Sequence, residues 1–459
     1  MRAERKPQRR GCDDYHILSH SSEKAGIAGL ALGSRASSHS AFALVLHLKN
    51  SSHWSSSIFS SFSEKDVKSW PPSRHQSWSR GFASDATMRA AVYDRAALEG
   101  IRVIATRAPP SPPSKGALLV RVKACGVNPV DAKGIIGDKL PVFLRPLARR
   151  FIDGRVAGFD LSGVVEHAPP GSGYAIGDEV YGAVPPFRGS FAELVRVPLD
   201  QVARKPASLT HAQAAALVLP GVTVAQLLDQ HHFAPGQHVL IIGASGGVGH
   251  LAVQIAKARG AVVVAVCGVA NEAFVRRLGA DEVVPYDAVP GDGDGDVTGD
   301  MPIPGDRNDR VVDRLREIVR ARGRPFDLCV DAVSSHDAAD ASHRYERRVR
   351  GASEPKLLAD GPDADPHNYV FIGGATREWF LAGLKRLTGI DAFSRGRELF
   401  WIAFPGCARE LGALRELADG PAGVRPTIET TVGLTDEGVR EAFRRLHSRR
   451  VRGKVVIEV

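Results

Sequence analysis

The chain of 459 residues has only five cysteines and three methionines. Cys12, Cys125, Cys267, Cys329 and Cys407 stand far apart, with no C-x-x-C pair and no disulfide-like spacing. That excludes a stapled secreted scaffold and suits a reducing compartment. No apolar run approaches the length of a membrane-spanning helix, so no transmembrane segment is expected. Charge of one sign is also scarce once it is divided along the chain. Residues 1–82 hold twelve Lys and Arg against six acids, a net +6, which leaves only +3 of the +9 total for the rest. So small an excess gives no phosphate-tracking stripe, and nucleic acid is not expected as a partner.

Residues 1–82 lack sustained apolar periodicity and are rich in Ser, His and Arg. They read as a presequence or disordered extension. Ser79-Arg-Gly-Phe-Ala-Ser84 resembles a mitochondrial processing site, with an arginine shortly before an aromatic and then small residues. Cleavage after Phe82 and residence in the mitochondrial matrix are the expectation. Asp13 and Asp14 are untypical of a transit peptide and leave a second reading open, in which Met88 is the true start and the protein is cytoplasmic.

What the chain does have is a glycine turn between an apolar run, His238-Val-Leu-Ile-Ile242, and a helix-like run, His250-Leu-Ala-Val-Gln-Ile-Ala-Lys-Ala-Arg259. The turn is spaced Gly243-x-x-Gly246-x-x-Gly249, with Gly247 added, and differs from the G-x-G-x-x-G of most dinucleotide folds. Its context gives it weight. After the helix comes Ala261-Val-Val-Val-Ala-Val-Cys267, a β-branched run short enough for a buried parallel strand, which completes a βαβ unit. A strand, a turn and a helix start aim backbone N–H groups at an anion, so a pyrophosphate fits. The bland alternative is a turn that only packs helix on strand.

NAD-selective sites place an acid at the end of the second strand to bond the ribose 2′-hydroxyl. Cys267-Gly-Val-Ala-Asn271 has none before Glu272, which leaves room for NADPH. Arg276 and Arg277 either add positive charge there or lie on a solvated helix face.

From Met88 the chain is strand-rich: Arg89–Tyr93, Ala117–Lys123, Gly163–Glu166, Glu179–Tyr181 and Ser190–Val197, divided by Gly and Pro turns. Thr210–Val218 reads as a helix with Thr210 as cap. Beyond the βαβ unit, strands recur at 282–286, 326–331, 369–373 and 398–404, six in all, the rhythm of a doubly wound sheet. Two stretches do not fit a compact core, 287–310 and 338–365, the first a Gly-Asp-Pro loop without calcium-site spacing. Val424–Ile428 and Lys454–Val459, around the amphipathic helix Asp436–Ser448, return to β character. The nucleotide unit is therefore inserted into a β domain, with the cleft between them as the expected active site.

This arrangement resembles the medium-chain dehydrogenase/reductase superfamily, within it the zinc-free quinone oxidoreductase branch that includes zeta-crystallin, and most nearly the mitochondrial reticulon-interacting oxidoreductase group. The segments that carry the resemblance are Cys125-Gly-Val-Asn-Pro-Val-Asp131, Gly158-Phe-Asp-Leu-Ser-Gly163, Gly177-Asp-Glu-Val180, Ala183-Val-Pro-Pro186, the glycine turn and Arg452-Gly-Lys454. It implies an α/β fold: a Rossmann-type doubly wound parallel sheet at 220–405, inserted into a β-rich GroES-like substrate domain formed by 83–219 and 406–459. Zinc-dependent relatives carry a cysteine and a His-Glu pair where this chain has Asn128 and Phe159-Asp160, so no catalytic zinc is expected. The implied activity is NADPH-dependent reduction of quinones or other α,β-unsaturated carbonyl compounds, with enoyl thioester reduction or a catalytically weak NADPH-binding scaffold as alternatives. A homodimer is implied as well.

By position, the resemblance assigns Asn128 to the nicotinamide and substrate, or alternatively to a turn fixed by Pro129. Thr223 lies near the nicotinamide or caps a helix. Gly243, Ser245, Gly246, Gly247, Val248 and Gly249 form the pyrophosphate turn. Gly268 stands where relatives have a serine facing the adenosine phosphate, and Tyr286 beside the 2′-phosphate. Phe371 and Gly373 border the nicotinamide, and Arg449 approaches the cofactor, with Arg450 and Arg452 as neighbouring registers. Enoyl thioester reductases carry a proton-donating tyrosine where this chain has Lys139, which is either a proton donor or a solvated loop lysine. Mass spectrometry of the protein isolated from mitochondria should find a mature N-terminus at Ala83; an intact Met1 would refute cleavage.

Overall fold

Short β-branched runs separated by Gly and Pro turns build the first half of the chain. They form β1 (Met88–Tyr93), β2 (Ile101–Arg107), β3 (Ala117–Gly126), β4 (Asp160–His167), β5 (Glu179–Ala183), β6 (Leu194–Pro198) and β7 (Val202–Arg204). The computed structural model describes residues 87–459 except 95–99, 133–151, 186–187, 288–306, 334–342, 353, 363, 374–380, 383, 386–387, 389–396, 401 and 403–405. All described residues fall within one unit, 77–459. The proposed cleavage site, Pro186, Lys139 and most of the first insertion lie outside them. β2 was not legible in the sequence: only Ile101 is fully buried along it, so its alternation is weak.

The C-terminal strands β14 (Ile428–Gly433) and β15 (Lys454–Glu458) join the first sheet in the order β14-β15-β3-β4-β5-β7, with β6 pairing β3. The first of these begins later than the expected Val424, because Pro426 has no N–H to give a ladder. Between them lies the second sheet, made of β8 (His238–Ile242), β9 (Val262–Cys267), β10 (Glu282–Pro285), β11 (Leu328–Asp331), β12 (Tyr369–Phe371) and β13 (Arg397–Leu399). Its order is β10-β9-β8-β11-β12-β13 and every pairing is parallel. The chain winds from β8 outward to β10, then crosses back to β11 and winds the other way. The crevice beyond the ends of β8 and β11 is the switch point at which such sheets bind ligands.

The helix expected over 210–218 is far longer. α1 (His211–Gln230) starts from a capping box, in which Gln213 N–H donates to Thr210 Oγ1 and Thr210 N–H to Gln213 Oε1, and it continues through Pro220. By length and composition α1 could cross a bilayer, contrary to the expectation that no run would, but 72% of its most apolar stretch is buried inside the protein. Its side chains pack with Tyr181 and Ala183 of the first sheet and with Val239 and Ile241 of the second in one core.

The remaining helices are α2 (Gly249–Ala258), α3 (Glu272–Arg277), α4 (Arg307–Arg322), α5 (His343–Gly351), α6 (Ala408–Asp419) and α7 (Asp436–His447). α5 and the segment after it correct the reading of 338–365 as an interruption of the core. Tyr345, Val349, Leu357 and Leu358 are buried in the cluster on the outer face of the parallel sheet, and Phe326 bridges to Leu358. α5 conceals this because, among its described side chains, only Tyr345 and Val349, one turn apart, are buried on an arginine-rich helix.

Candidate active site

Two kinds of glycine make up the turn between β8 and α2. Gly243 (φ +79°) and Gly249 are demanded by packing: a Cβ on Gly243 would lie 2.4 Å from Val333 Cγ2, and one on Gly249 would lie 2.1 Å from the Gly243 carbonyl oxygen. At Gly246 and Gly247 an added Cβ would meet its nearest neighbours at ordinary contact distance, 3.5 and 3.4 Å. The Gly243 and Ala244 N–H groups bond the Val266 carbonyl, which fixes the turn to β9. Among the described residues, the N–H groups of Ser245, Gly247, Val248 and Gly249 meet no protein acceptor. Val248, at the start of α2, offers no side-chain cap. Four donors at an uncapped helix start, beside two bare glycines, fit a pyrophosphate.

The far end of this turn is closed by the C-terminal segment. Gly453 N–H donates to the Ser245 carbonyl at 2.8 Å. Gly453 has φ +74°, and a Cβ there would lie 2.2 Å from the Thr427 carbonyl oxygen, so only glycine lets the chain pass. Arg452 Nε donates to Asn271 Oδ1 at 2.7 Å, its NH2 donates to the Ala270 carbonyl at 3.2 Å, and its guanidinium lies 5.4 Å over the Phe274 ring. Arg452 is thus the arginine that reaches the end of β9. Arg449, the arginine expected near the cofactor, is a positive-φ residue (55°) in the turn after α7. At that strand end Gly268 faces Tyr286, whose hydroxyl would lie 3.2 Å from an added Cβ, and the Asp287 carboxylate, which accepts from Val269 N–H at 2.6 Å.

Next to the turn sits a buried charged cluster. Lys454, 3% exposed, donates from Nζ to the Val127 carbonyl at 2.7 Å and to Asn128 Oδ1 at 2.5 Å. Asn128 Nδ2 donates to Asp160 Oδ2 at 2.8 Å and to the Gly126 carbonyl at 3.3 Å, and Asn128 N–H donates to Asp131 Oδ2 at 2.6 Å. Asp131 and Asp160 are fully buried, each with its second oxygen unpartnered. Burial pushes Asp160 up to about 6, against the pull of the Lys454 ammonium and the Asn128 hydrogen bond. Burial and the neighbouring Asp160 raise Asp131 well above the carboxylate range, and burial lowers Lys454. Two buried carboxyls facing one ammonium cannot both stay ionised cheaply, so both are pushed toward their protonated forms. His250, also fully buried, is pushed down to about 4 and stays neutral, bonded to the Gly246 carbonyl and Thr427 N–H.

The resemblance had Asn128 facing nicotinamide and substrate. Here the side chain is 2% exposed and both amide hydrogens go to protein acceptors. Thr223, also buried, donates its hydroxyl to the Leu219 carbonyl within α1. The Phe371 ring is buried in the core under the sheet, and its carbonyl accepts from Phe400 N–H. Gly373 lies past the end of β12 with φ +93°. Sequence reasoning missed Asp131, Asp160, Lys454 and Asp287 as site residues. Three of them stood inside the quoted segments, but nothing in spacing signals that Lys454 meets Asn128 across 326 positions. Asp331, buried at the end of β11, was missed too; it accepts from Val333 N–H and the Tyr369 hydroxyl.

Residues 114–207 match the family described as alcohol dehydrogenase GroES-like domain, and residues 247–348 the family described as zinc-binding dehydrogenase. The human NAD(P)H oxidoreductase RTN4IP1, mitochondrial, is 31% identical over 365 residues, covering 74% of this chain and 81% of the relative. The spinach quinone-oxidoreductase homolog, chloroplastic, is 35% identical over 187 residues, 38% of this chain and 54% of the relative. Among solved structures, the quinone oxidoreductase from Coxiella burnetii shares the fold with a TM-score of 0.58 at 23% identity, covering 82% of this chain and all of that one.

Removing the cation of this cluster should be costly. Lys454→Met strands two carboxyls and Asn128, and is expected to lower unfolding free energy by about 3–5 kcal/mol in urea titration. Asp160 is protonated more readily when folded than when unfolded, so its stabilising contribution is complete below its ordinary value and fades as pH rises through about 6. The stability of the wild type relative to Asp160→Asn should therefore decline over that window, measured by urea midpoints at stepped pH.

Proposed function

Because the chain belongs to the medium-chain dehydrogenase/reductase superfamily of NAD(P)H oxidoreductases, we propose that it reduces quinones or other α,β-unsaturated carbonyl compounds by hydride transfer, without zinc. The observation that carries this reading is the set of unpaired N–H groups at Ser245, Gly247, Val248 and Gly249, at the switch point of a parallel sheet. These groups hold the pyrophosphate, with Gly246 and Gly247 allowing close approach. When bound, the reduced nicotinamide supplies the hydride. An enone or quinone carbon is already electron-poor, so no Lewis acid is needed to make it accept one.

The donor set argues against zinc at the position where zinc-dependent relatives bind it. Asn128 and Phe159 stand in place of ligands, and Asp160 is committed to Asn128 and lies within the field of the Lys454 ammonium, which repels a dication. In this reading Asn128 acts as a positioning residue: Lys454 and Asp160 pin it, and with it the end of β3, beside the glycine turn. Lys139, outside the described residues, or solvent returns the proton to the product.

The RTN4IP1 and spinach relatives are named as a mitochondrial NAD(P)H oxidoreductase and a quinone-oxidoreductase homolog, which supports mitochondrial residence and the substrate class. The protein works as a homodimer through β13, the edge strand of the described sheet. The resemblance and β9 alone favour NADPH as donor; the choice between the two dinucleotides turns on the ribose end of the site.

The test follows dinucleotide oxidation with a small quinone, an enone and an enoyl thioester. Turnover of the first two is expected, turnover of the thioester alone would replace the substrate class, and binding without any turnover would leave a scaffold. Gly247→Asp places a carboxylate among the pyrophosphate donors. It should weaken both dinucleotides by at least about tenfold in fluorescence titration, while Gly247→Ala, which has room for its methyl, should not.

A further inference from the structure

The resemblance, with Tyr286 beside a 2′-phosphate, and the residues after β9 in sequence, where no acid occurs before Glu272, both favour NADPH. In space an acid is there. β10 pairs with β9 in parallel, Pro285 opposite Cys267, so Asp287 lies two residues past the last pair, level with Val269 and one strand over. Its Oδ1 accepts from Val269 N–H at 2.6 Å, which fixes the carboxylate. Its Oδ2 lies 3.4 Å from the point where a Cβ on Gly268 would sit, and Gly268 has no such atom. The second oxygen is thus held at the strand end where dinucleotide folds bind the adenosine ribose.

We propose that Asp287 is the ribose-binding carboxylate of this site, supplied by β10 in place of the acid missing from β9, and that NADH is favoured over NADPH. A carboxylate held there accepts from a ribose 2′-hydroxyl and repels a 2′-phosphate. The nearby cations are already engaged. Arg276 is paired with Glu272 at 2.8 Å, and Arg452 is held by Asn271, the Ala270 carbonyl and the Phe274 face. Glycine at 268 contributes too: a Cβ there would lie 3.2 Å from the Tyr286 hydroxyl, tighter than an ordinary contact, and would stand beside the Asp287 carboxylate.

This inference rests on the dinucleotide reading above, and the experiment separates the two. NADH and NADPH are titrated by fluorescence against wild type and Asp287→Asn, whose retained Oδ1 still accepts from Val269 N–H. Thermal melts check that the variant folds, and Asp287→Ser serves as second variant if it does not. Wild type should bind NADH at least about tenfold more tightly than NADPH, and the variant should shift that ratio toward NADPH by about tenfold or more. Tighter NADPH binding by wild type, or an unchanged ratio in a folded variant, would overturn the role of Asp287. Failure of wild type to bind either dinucleotide would overturn the dinucleotide site itself.

Discussion

An ammonium group taken out of water must be surrounded by acceptors, and much of the site's organisation comes from meeting that demand for Lys454. The lysine begins β15, the strand that returns the chain's end to the first sheet beside β3. Its acceptors come from the end of β3, and the carboxyls that balance its charge come from the turn after β3 and from the start of β4. One step earlier in sequence, Gly453 is bonded to the glycine turn of the second sheet. The same short stretch therefore fixes Asn128 in one sheet and Ser245 in the other.

α1 supplies the apolar counterpart of that polar lock. It is buried between elements of both sheets, so its sequence shows little of the sidedness of a surface helix. This is also why its composition suits a bilayer: a helix enclosed by protein faces the same requirement for apolar side chains all round. Pro220 is tolerated within it even though the proline lacks the N–H that would bond residue 216.

The inner strands β8 and β9 were legible because they are continuous apolar, β-branched runs buried on both faces, and β10, β11 and β12 begin within two residues of their readings, whereas the strand read at 398–404 is described only as Arg397–Leu399. The glycine turn was legible for a related reason, since only glycine tolerates the close approaches at 243 and 249. The elements that escaped are those whose reasons are tertiary. β2 is held by pairing with β1, and α5 by two side chains one turn apart. The charged cluster joins residues hundreds of positions apart, and no local pattern distinguishes a lysine that will be buried from one that will be solvated. Asp287 escaped because the rule for the ribose acid is read along one strand, whereas Asp287 follows β10, the strand paired beside it.

The starts of the helices show where the fold leaves something undone. α1 and α7 each open on a threonine whose hydroxyl accepts from a first-turn N–H, a contact worth about 1 kcal/mol. α2 opens on Val248, a poor cap, after two glycines that contribute no side chain at all. Val248 is itself in the helical region (φ −85°, ψ −43°), unlike the extended Thr210 and Thr435, so the first N–H groups of α2 are left to an anion and not to a side chain. The stability forgone at the start of α2 is thus the local counterpart of an anion-binding site. It also explains why the segment is braced from outside, by Val266 on one side and Gly453 on the other, and not by a cap of its own.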